Sequence, residues 1–453
     1  MRLQCIRHAV LCRTFHKVTA CRSKVALRQK WDSARCSSLK NYDFENQKRC
    51  KRERNSSILF VSPVWPERNS SAAGVRTDSL IESFRQREEC DVDKITYVSM
   101  SAPCEHSKML NDRGIETFTC HANKEADFVK VLDHAKPTTI VFDRYFIEEM
   151  FSFHCQKHCP QAMRVLDMQD VHSLRTYRQK MVVEGKTEDL NDVAALYPDS
   201  TYEPLLRELA AILRSDLTLV CSPIELNLLE KVYGVPKRLL CEAGFFQPKS
   251  PYKDSGPGFG ARRHAMMIGN FKHPPNLDSV QWACRTLWPQ VRLQMQDSMG
   301  IEPHKLPELH IFGAYSTEAQ KCLNDEANGI FLKGFAPSLD IMLDYRILFA
   351  PLRFGAGLKG KIVEAWWHGM PVLTTRIGAE GMQSKELSTE EQWGGSFCSF
   401  DAESLAFDTS TLYYNKEMWE ASQRQGFRLL ESLYDEERNI CFVQVRNWEC
   451  FMS

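Results

Sequence analysis

Residues 350–382 read APLRFGAGLKGKIVEAWWHGMPVLTTRIGAEGM. They set out a strand, a glycine-rich loop and a helix in direct succession. Residues 347–351 are a short apolar run ending at Pro351, as a buried strand does. Gly355, Gly357 and Gly360 follow, in a loop where backbone can come close to a ligand. Residues 361–368 predict a short helix, closed by Gly369 and followed by Pro371. Residues 372–375 predict the next strand, and residues 378–381 a tight loop. A helix N-terminus presents unpaired N–H groups and a partial positive charge. With Arg353, Lys359 and Lys361 beside it, this loop is expected to hold a diphosphate. Glu364, one turn into the helix, is placed to accept hydrogen bonds from ribose hydroxyls.

The segment resembles the donor-site signature of the retaining, nucleotide-sugar-dependent glycosyltransferases of family 4. It is most similar to a subset with the pattern Pro-x-Arg-x-Gly-x-Gly-x-x-x-Lys-x-x-Glu, met here by Pro351, Arg353, Gly355, Gly357, Lys361 and Glu364. The resemblance implies the α/β fold called GT-B: two Rossmann-like domains facing each other across a cleft, with a C-terminal helix crossing back to the first domain. It also implies a UDP- or GDP-sugar donor and no cofactor. Many members carry a Glu-x7-Glu pair, the first Glu facing the sugar and the second the ribose. Glu364 matches the second, and Ala356 stands at the first.

Outward from this segment, strand-like and helix-like runs alternate, which argues for parallel sheets with helices on both faces. Residues 58–61 begin one series, continued at 95–99, 114–119, 138–142, 163–166 and 217–221. Ser222 and Glu225 predict a capping box for the helix that follows. The stretch SPYKDSGPGFG, residues 250–260, is dense in Pro, Gly and Ser and reads as a linker. A second series begins at 266–268 and continues at 309–312 and 331–333, each run followed by Gly, a sign of close backbone approach at strand ends. The division expected is a basic tail at 1–55, an acceptor domain at 56–249, a linker at 250–262, a donor domain at 263–415 and a helical segment at 416–453.

Ligands in such sheets bind beyond the C-terminal strand ends. In RVLDMQDVHSLR, residues 164–175, the strand ends at Asp167, which leaves Asp170 and His172 at the cleft mouth. The resemblance implies contact with the transferred sugar or the acceptor there, so these two are the catalytic candidates; a helix N-cap and a solvated ring are the plainer reading. Lys272 follows the strand at 266–268, where the family places a basic residue, and joins Arg353, Gly355, Ala356, Gly357, Lys361 and Glu364 as the donor set. In the loop at 70–74, Ser71 and Gly74, with Arg76 behind them, suit the approach of a phosphate or acceptor. The family chemistry lets the donor phosphate accept the acceptor proton, so the protein mainly stabilises the leaving diphosphate. The acceptor (glycan, lipid, protein or small molecule) is left open.

Composition narrows the classes. A 453-residue chain suits two domains, and its zero net charge argues against a general nucleic-acid binder. Residues 1–55 hold fifteen Lys or Arg against four Asp or Glu, so the remainder is acidic by 11. That Arg- and Ser-rich start resembles a mitochondrial transit peptide, with a plain basic tail in a cytoplasmic protein as the alternative. No apolar run approaches the length that spans a bilayer. The odd count of 17 Cys, without a secretory signal, reads as reduced thiols, and the Asn-x-Ser sequons at Asn55 and Asn69 read as chance matches. His154, Cys155, His158 and Cys159 fall on two adjacent helical faces and read as packing rather than a zinc site. Residues 350–382 hold no Asp-x-Asp, so a metal-bridged diphosphate is not expected. Trp366 and Trp367 read as core.

Overall fold

Apolar residues on alternate sides of each strand determine the architecture. In the first strand, Leu59 and Val61 enter one hydrophobic cluster while Ile58 and Phe60 enter another on the opposite face. In the second half Ala265 and Met267 face one cluster, and Met266 faces the other. Strands buried on both faces need helices on both sides, as parallel sheets require.

The computed structural model describes residues 56–68, 71–85, 92–122, 124–186, 193–383, 393, 395–397 and 402–435. The expectations for the basic tail, both sequons and Ser70 lie outside these residues. The first sheet has seven parallel strands: β1 (Ser56–Ser62), β2 (Val92–Ser99), β3 (Glu116–Thr119), β4 (Thr139–Asp143), β5 (Met163–Asp167), β6 (Leu217–Val220) and β7 (Leu240–Glu242). Their order is β3-β2-β1-β4-β5-β6-β7. The second has six: β8 (Arg263–Asn270), β9 (Leu309–Ala314), β10 (Ile330–Gly334), β11 (Tyr345–Ala350), β12 (Val372–Thr374) and β13 (Gly395–Phe397), in the order β10-β9-β8-β11-β12-β13. Every pair is parallel. Two doubly wound Rossmann-like sheets, each with its order reversing beside its first strand, make the GT-B architecture, and each reversal is where such sheets bind ligands.

The helices that shape the cleft are α1 (Ala72–Arg85), α2 (His172–Val183), α3 (Pro223–Asn227), α4 (Pro274–Trp282), α5 (Gly360–Trp367) and α6 (Lys416–Leu433). α6 packs on α5, where Gly426 lets Trp366 come so close that a Cβ would sit 2.7 Å from its ring. Trp366 is buried against Trp393, and the Trp367 indole donates to Pro248 O, so both side chains are structural. Beyond α6 the chain returns to the end of the first half, where Gln247 N donates to Tyr434 O at 2.8 Å.

Several local readings change. The expected linker contains two short helical turns, Tyr252–Ser255 and Phe259–Ala261. The capping box at Ser222 does not form: the Ser222 side chain makes no cap bond, and the Glu225 carboxyl accepts instead from Val171 N and Gly357 N. Two of the glycines that end strands make room for protein rather than ligand. A Cβ on Gly269 would meet Asn276 at 2.7 Å, and one on Gly313 would meet Phe271 at 2.2 Å. The described cysteines are free thiols, Cys155 is buried in the core, and among the described residues no metal-ligating cluster occurs. Among those residues no helix is long and apolar enough to cross a membrane.

Candidate functional site

The C-terminal ends of both sheets open onto one cleft of about 530 Å3. That volume lies in the usual range for small-molecule sites. From the first half it is lined by Ser71, Arg144, Gln169, Asp170 and His172, among others. From the second it is lined by Lys272, His273, Asn276, the loop after β11, and Lys361 and Glu364 of α5. Arg144, Gln169 and Tyr315 hold positive φ angles of 75°, 63° and 60°, and all three line the cleft. Non-glycine residues in that region carry backbone strain, which clusters at functional sites.

α5 supplies one wall of the cleft, where a donor was expected. Its opening residues, Gly360 and Lys361, lie on the cleft, so its N-terminal positive end faces the cavity. Gly360 is required there because a Cβ would strike Ala72 of α1 at 2.5 Å. The Lys361 Nζ donates to Asn276 Oδ1 at 2.8 Å, and burial pushes this ammonium down to about 8. One turn on, Glu364 Oε1 accepts from Gln247 Nε2 at 3.0 Å. Burial raises the Glu364 carboxyl, and the Gln247 bond partly opposes that shift. A cation, a helix N-terminus and a carboxyl–amide pair thus follow one another along one wall; such groups can bind an anion and hydroxyls.

The opposite wall carries Asp170 and His172. The two side chains meet, with Nε2 of His172 3.0 Å from Oδ1 of Asp170, and Arg175 is paired with the other Asp170 oxygen. Burial pushes the Asp170 carboxyl up, but Arg175 and His172 more than offset it and hold it well below the usual carboxylate range. His172 opens α2, where His172 N and Ser173 N donate to the two oxygens of buried Glu208 at 2.8 and 2.9 Å. The helix cap therefore comes from Glu208, which leaves Asp170 directed to His172 and Arg175.

The remaining candidates divide. Gly355 and Ala356 are on the cleft wall, and Ala356 also packs against the apolar core of the first half. Lys272 is exposed at the cleft edge, with its ammonium 3.6 Å from the Tyr315 ring centre. Ser71 lines the cleft, and its Oγ accepts from Gly74 N at 3.0 Å. Gly74 is not on the cleft wall; its missing side chain admits the backbone of Glu67, 2.4 Å from a Cβ position. Arg76 borders the cavity, but its guanidinium is buried, bonded to Asp167 at 2.8–3.3 Å and to the carbonyl of Gly244 at 2.7 Å. Arg353 is also turned away from the cleft, held by Asp278 with one bond of 2.9 Å. Gly357, at φ 64°, faces the first half: a Cβ would lie 2.8 Å from Asp170 Cβ.

Asn276, Gln247, Arg175 and His273 belong to the site and escape the sequence reading. Each lies in a loop or helix without a local motif; Asn276, Gln247 and His273 meet partners 85 to 117 positions away, while Arg175 also pairs with Asp170 nearby.

Residues 262–414 match the family model for glycosyl transferases group 1. A comparison with curated proteins found no match. Among solved structures, the chain is similar to HepE of Anabaena in complex with UDP, with 12% identity, a TM-score of 0.60, and coverage of 87% of this chain and 100% of that one. It is also similar to sucrose-phosphate synthase of Thermosynechococcus elongatus, with 13% identity, a TM-score of 0.58, and coverage of 87% and 99%. The pneumococcal O-GlcNAc transferase GtfA in complex with UDP and GlcNAc aligns at 8% identity and a TM-score of 0.61, covering 88% and 100%. At these identities the likeness establishes the fold. The second half of the chain, residues 262–414, is thus similar to glycosyl transferases group 1, and it sits within a GT-B architecture.

Proposed function

We propose that this protein is a glycosyltransferase that moves a sugar from a UDP- or GDP-linked donor to an acceptor, with retention at the anomeric carbon. The observation that carries this reading is the order of Gly360, Lys361 and Glu364 along α5, facing the Asp170–His172 pair across the cleft. The UDP bound in the Anabaena and pneumococcal structures supports a nucleotide diphosphate donor here. In the reaction the bond from the anomeric carbon to the diphosphate oxygen breaks, and the acceptor oxygen bonds to that carbon. The acceptor proton passes to the departing diphosphate. Lys361 and the α5 N-terminus stabilise the charge that develops on it. Asp170 and His172 orient the sugar or acceptor. Gly355 and Ser71 border the same space, and Lys272 supplies a second cation at its edge.

Ala356 favours a second reading, because a sugar-facing carboxylate is missing there. Such a site suits a nucleotide-sugar hydrolase or epimerase, or a binding protein without catalysis. A thermal-shift screen of nucleotide-sugars, paired with measurement of released nucleotide, separates these. Release only with an acceptor marks a transferase, release into water a hydrolase, inversion at a sugar carbon an epimerase, and stabilisation alone a binder. If no nucleotide or nucleotide-sugar shifts the melting temperature, the donor-site reading fails.

A further inference from the structure

We propose that Glu225 is a positioning residue that assembles the two walls of the cleft, holding the backbone of the Asp170–His172 loop and that of the donor loop on one carboxyl oxygen. The inference rests on the reading of those two loops as the reacting faces. Glu225 lies in α3 of the first half and is only 2% exposed. Its Oε1 accepts from Val171 N at 3.0 Å and from Gly357 N at 2.8 Å. Val171 lies between Asp170 and His172, and Gly357 directly follows Ala356. One oxygen atom therefore sets the spacing between the Asp170–His172 pair and the loop position that faces the transferred sugar.

The contact depends on Gly357. At φ 64° with Asp170 Cβ at 2.8 Å from a Cβ position, any side chain would push the two loops apart. On the other side of Ala356, Arg178 of α2 donates to Gly355 O at 3.0 Å. Ala356 is thus bracketed by two groups from the first half, one on the carbonyl before it and one on the amide after it.

The cost of burying this carboxyl argues against a purely local role. Its second oxygen, Oε2, has no hydrogen-bond partner among the described residues. A buried polar atom left so is unfavourable. The groups facing Glu225 are Asp170, Lys359 and Cys221. Burial first, and Asp170 second, raise the carboxyl, which favours its neutral form. A neutral Gln can accept the same two N–H bonds and should replace it.

The test compares Glu225→Ala, Glu225→Gln and Gly357→Ala in the full chain, by amide hydrogen exchange and by nucleotide release from the nucleotide-sugar the unaltered protein uses. Glu225→Ala is expected to speed exchange at Val171 and Gly357 by about tenfold or more, as loss of a buried hydrogen bond does, while β1 and β11 keep their protection. Turnover should fall by about tenfold or more with donor KM little changed, which is the sign of lost positioning. Glu225→Gln should retain both properties. Gly357→Ala should reproduce the Glu225→Ala result with the carboxyl intact. Unchanged exchange at the two amides, a Gln variant as impaired as the Ala variant, or faster exchange spread evenly over both sheets would each overturn the proposal. The exchange measurement needs no substrate. Failure to bind UDP or GDP would therefore sink the donor reading, while the role of Glu225 would still be decided.

Discussion

Arg178 of the first half donates to both carboxylate oxygens of Glu380 of the second, at 2.7 and 2.8 Å. Its guanidinium is almost fully buried and also bonds the carbonyls of Gly355, Ala194 and Leu196. A planar fork with five N–H groups can meet this set, and a lysine cannot. Removing the cation leaves a nearly buried carboxylate unpaired, which costs about 3–5 kcal/mol. Arg178→Ala should therefore lower the unfolding free energy measured in urea by an amount of that order, and Arg178→Lys should recover little of it. A double-mutant cycle with Glu380→Gln isolates the pair. An additive cycle would show that the two residues do not couple.

Lys361→Ala should weaken UDP or GDP binding by about tenfold or more, since a buried charge-assisted contact to phosphate is lost. Glu364→Ala should weaken binding while the fold stays intact, by loss of ribose contacts. Isothermal calorimetry with circular dichroism on the same samples checks both. Unchanged affinity in either variant removes that residue from the donor site.

Binding should also depend on pH in a stated direction. Burial pushes Lys361 down to about 8, so the free protein loses this cation as pH rises through that value. A bound diphosphate favours the charged form and raises the pKa. Affinity should then be nearly flat below roughly pH 7 and should decline above roughly pH 8, with proton uptake on binding near that pH. Calorimetry in buffers of different ionisation enthalpy measures the uptake directly. Affinity that rises with pH would contradict the assignment.

Asp170→Asn and His172→Ala should cut turnover by about 10²-fold with little change in nucleotide affinity, because each misplaces the sugar or acceptor rather than the diphosphate. Asp170 is held ionised by Arg175 and His172 against the effect of burial, so no loss of activity from its protonation is expected down to pH values well below its ordinary range. Steady-state rates of nucleotide release settle this. Unchanged turnover in both variants would remove the pair from catalysis.

Arg76 calls for a stability measurement. It pairs with fully buried Asp167, whose carboxyl is raised by burial, a shift that Arg76 offsets only in part. Arg76→Ala should cost about 3–5 kcal/mol in denaturant unfolding, with nucleotide affinity preserved in whatever protein remains folded. Lost affinity without lost stability would instead assign Arg76 to the phosphate loop.

The sequence by itself determined most of the strands and the helix α5. Parallel strands buried on both faces read as apolar runs, so β1, β2, β4, β5, β8 and β9 are visible without coordinates. The glycine-rich motif is visible because Gly355 to Glu364 lie within ten residues, where spacing and side-chain type encode the geometry. Three-residue edge strands such as β7 and β13 carry too little pattern to be seen. Only the tertiary structure decided which groups complete the site. Gln247 meets Glu364 across 117 positions, Glu225 meets Gly357 across 132, and Arg178 meets Glu380 across 202. Local propensity carries no information over such separations. Ser222 and Glu225 have the spacing of a capping box, yet the carboxyl binds Gly357 because folding brings the donor loop to it. Gly357 likewise reads in the sequence as room for a phosphate; in the folded chain that room is taken by Asp170.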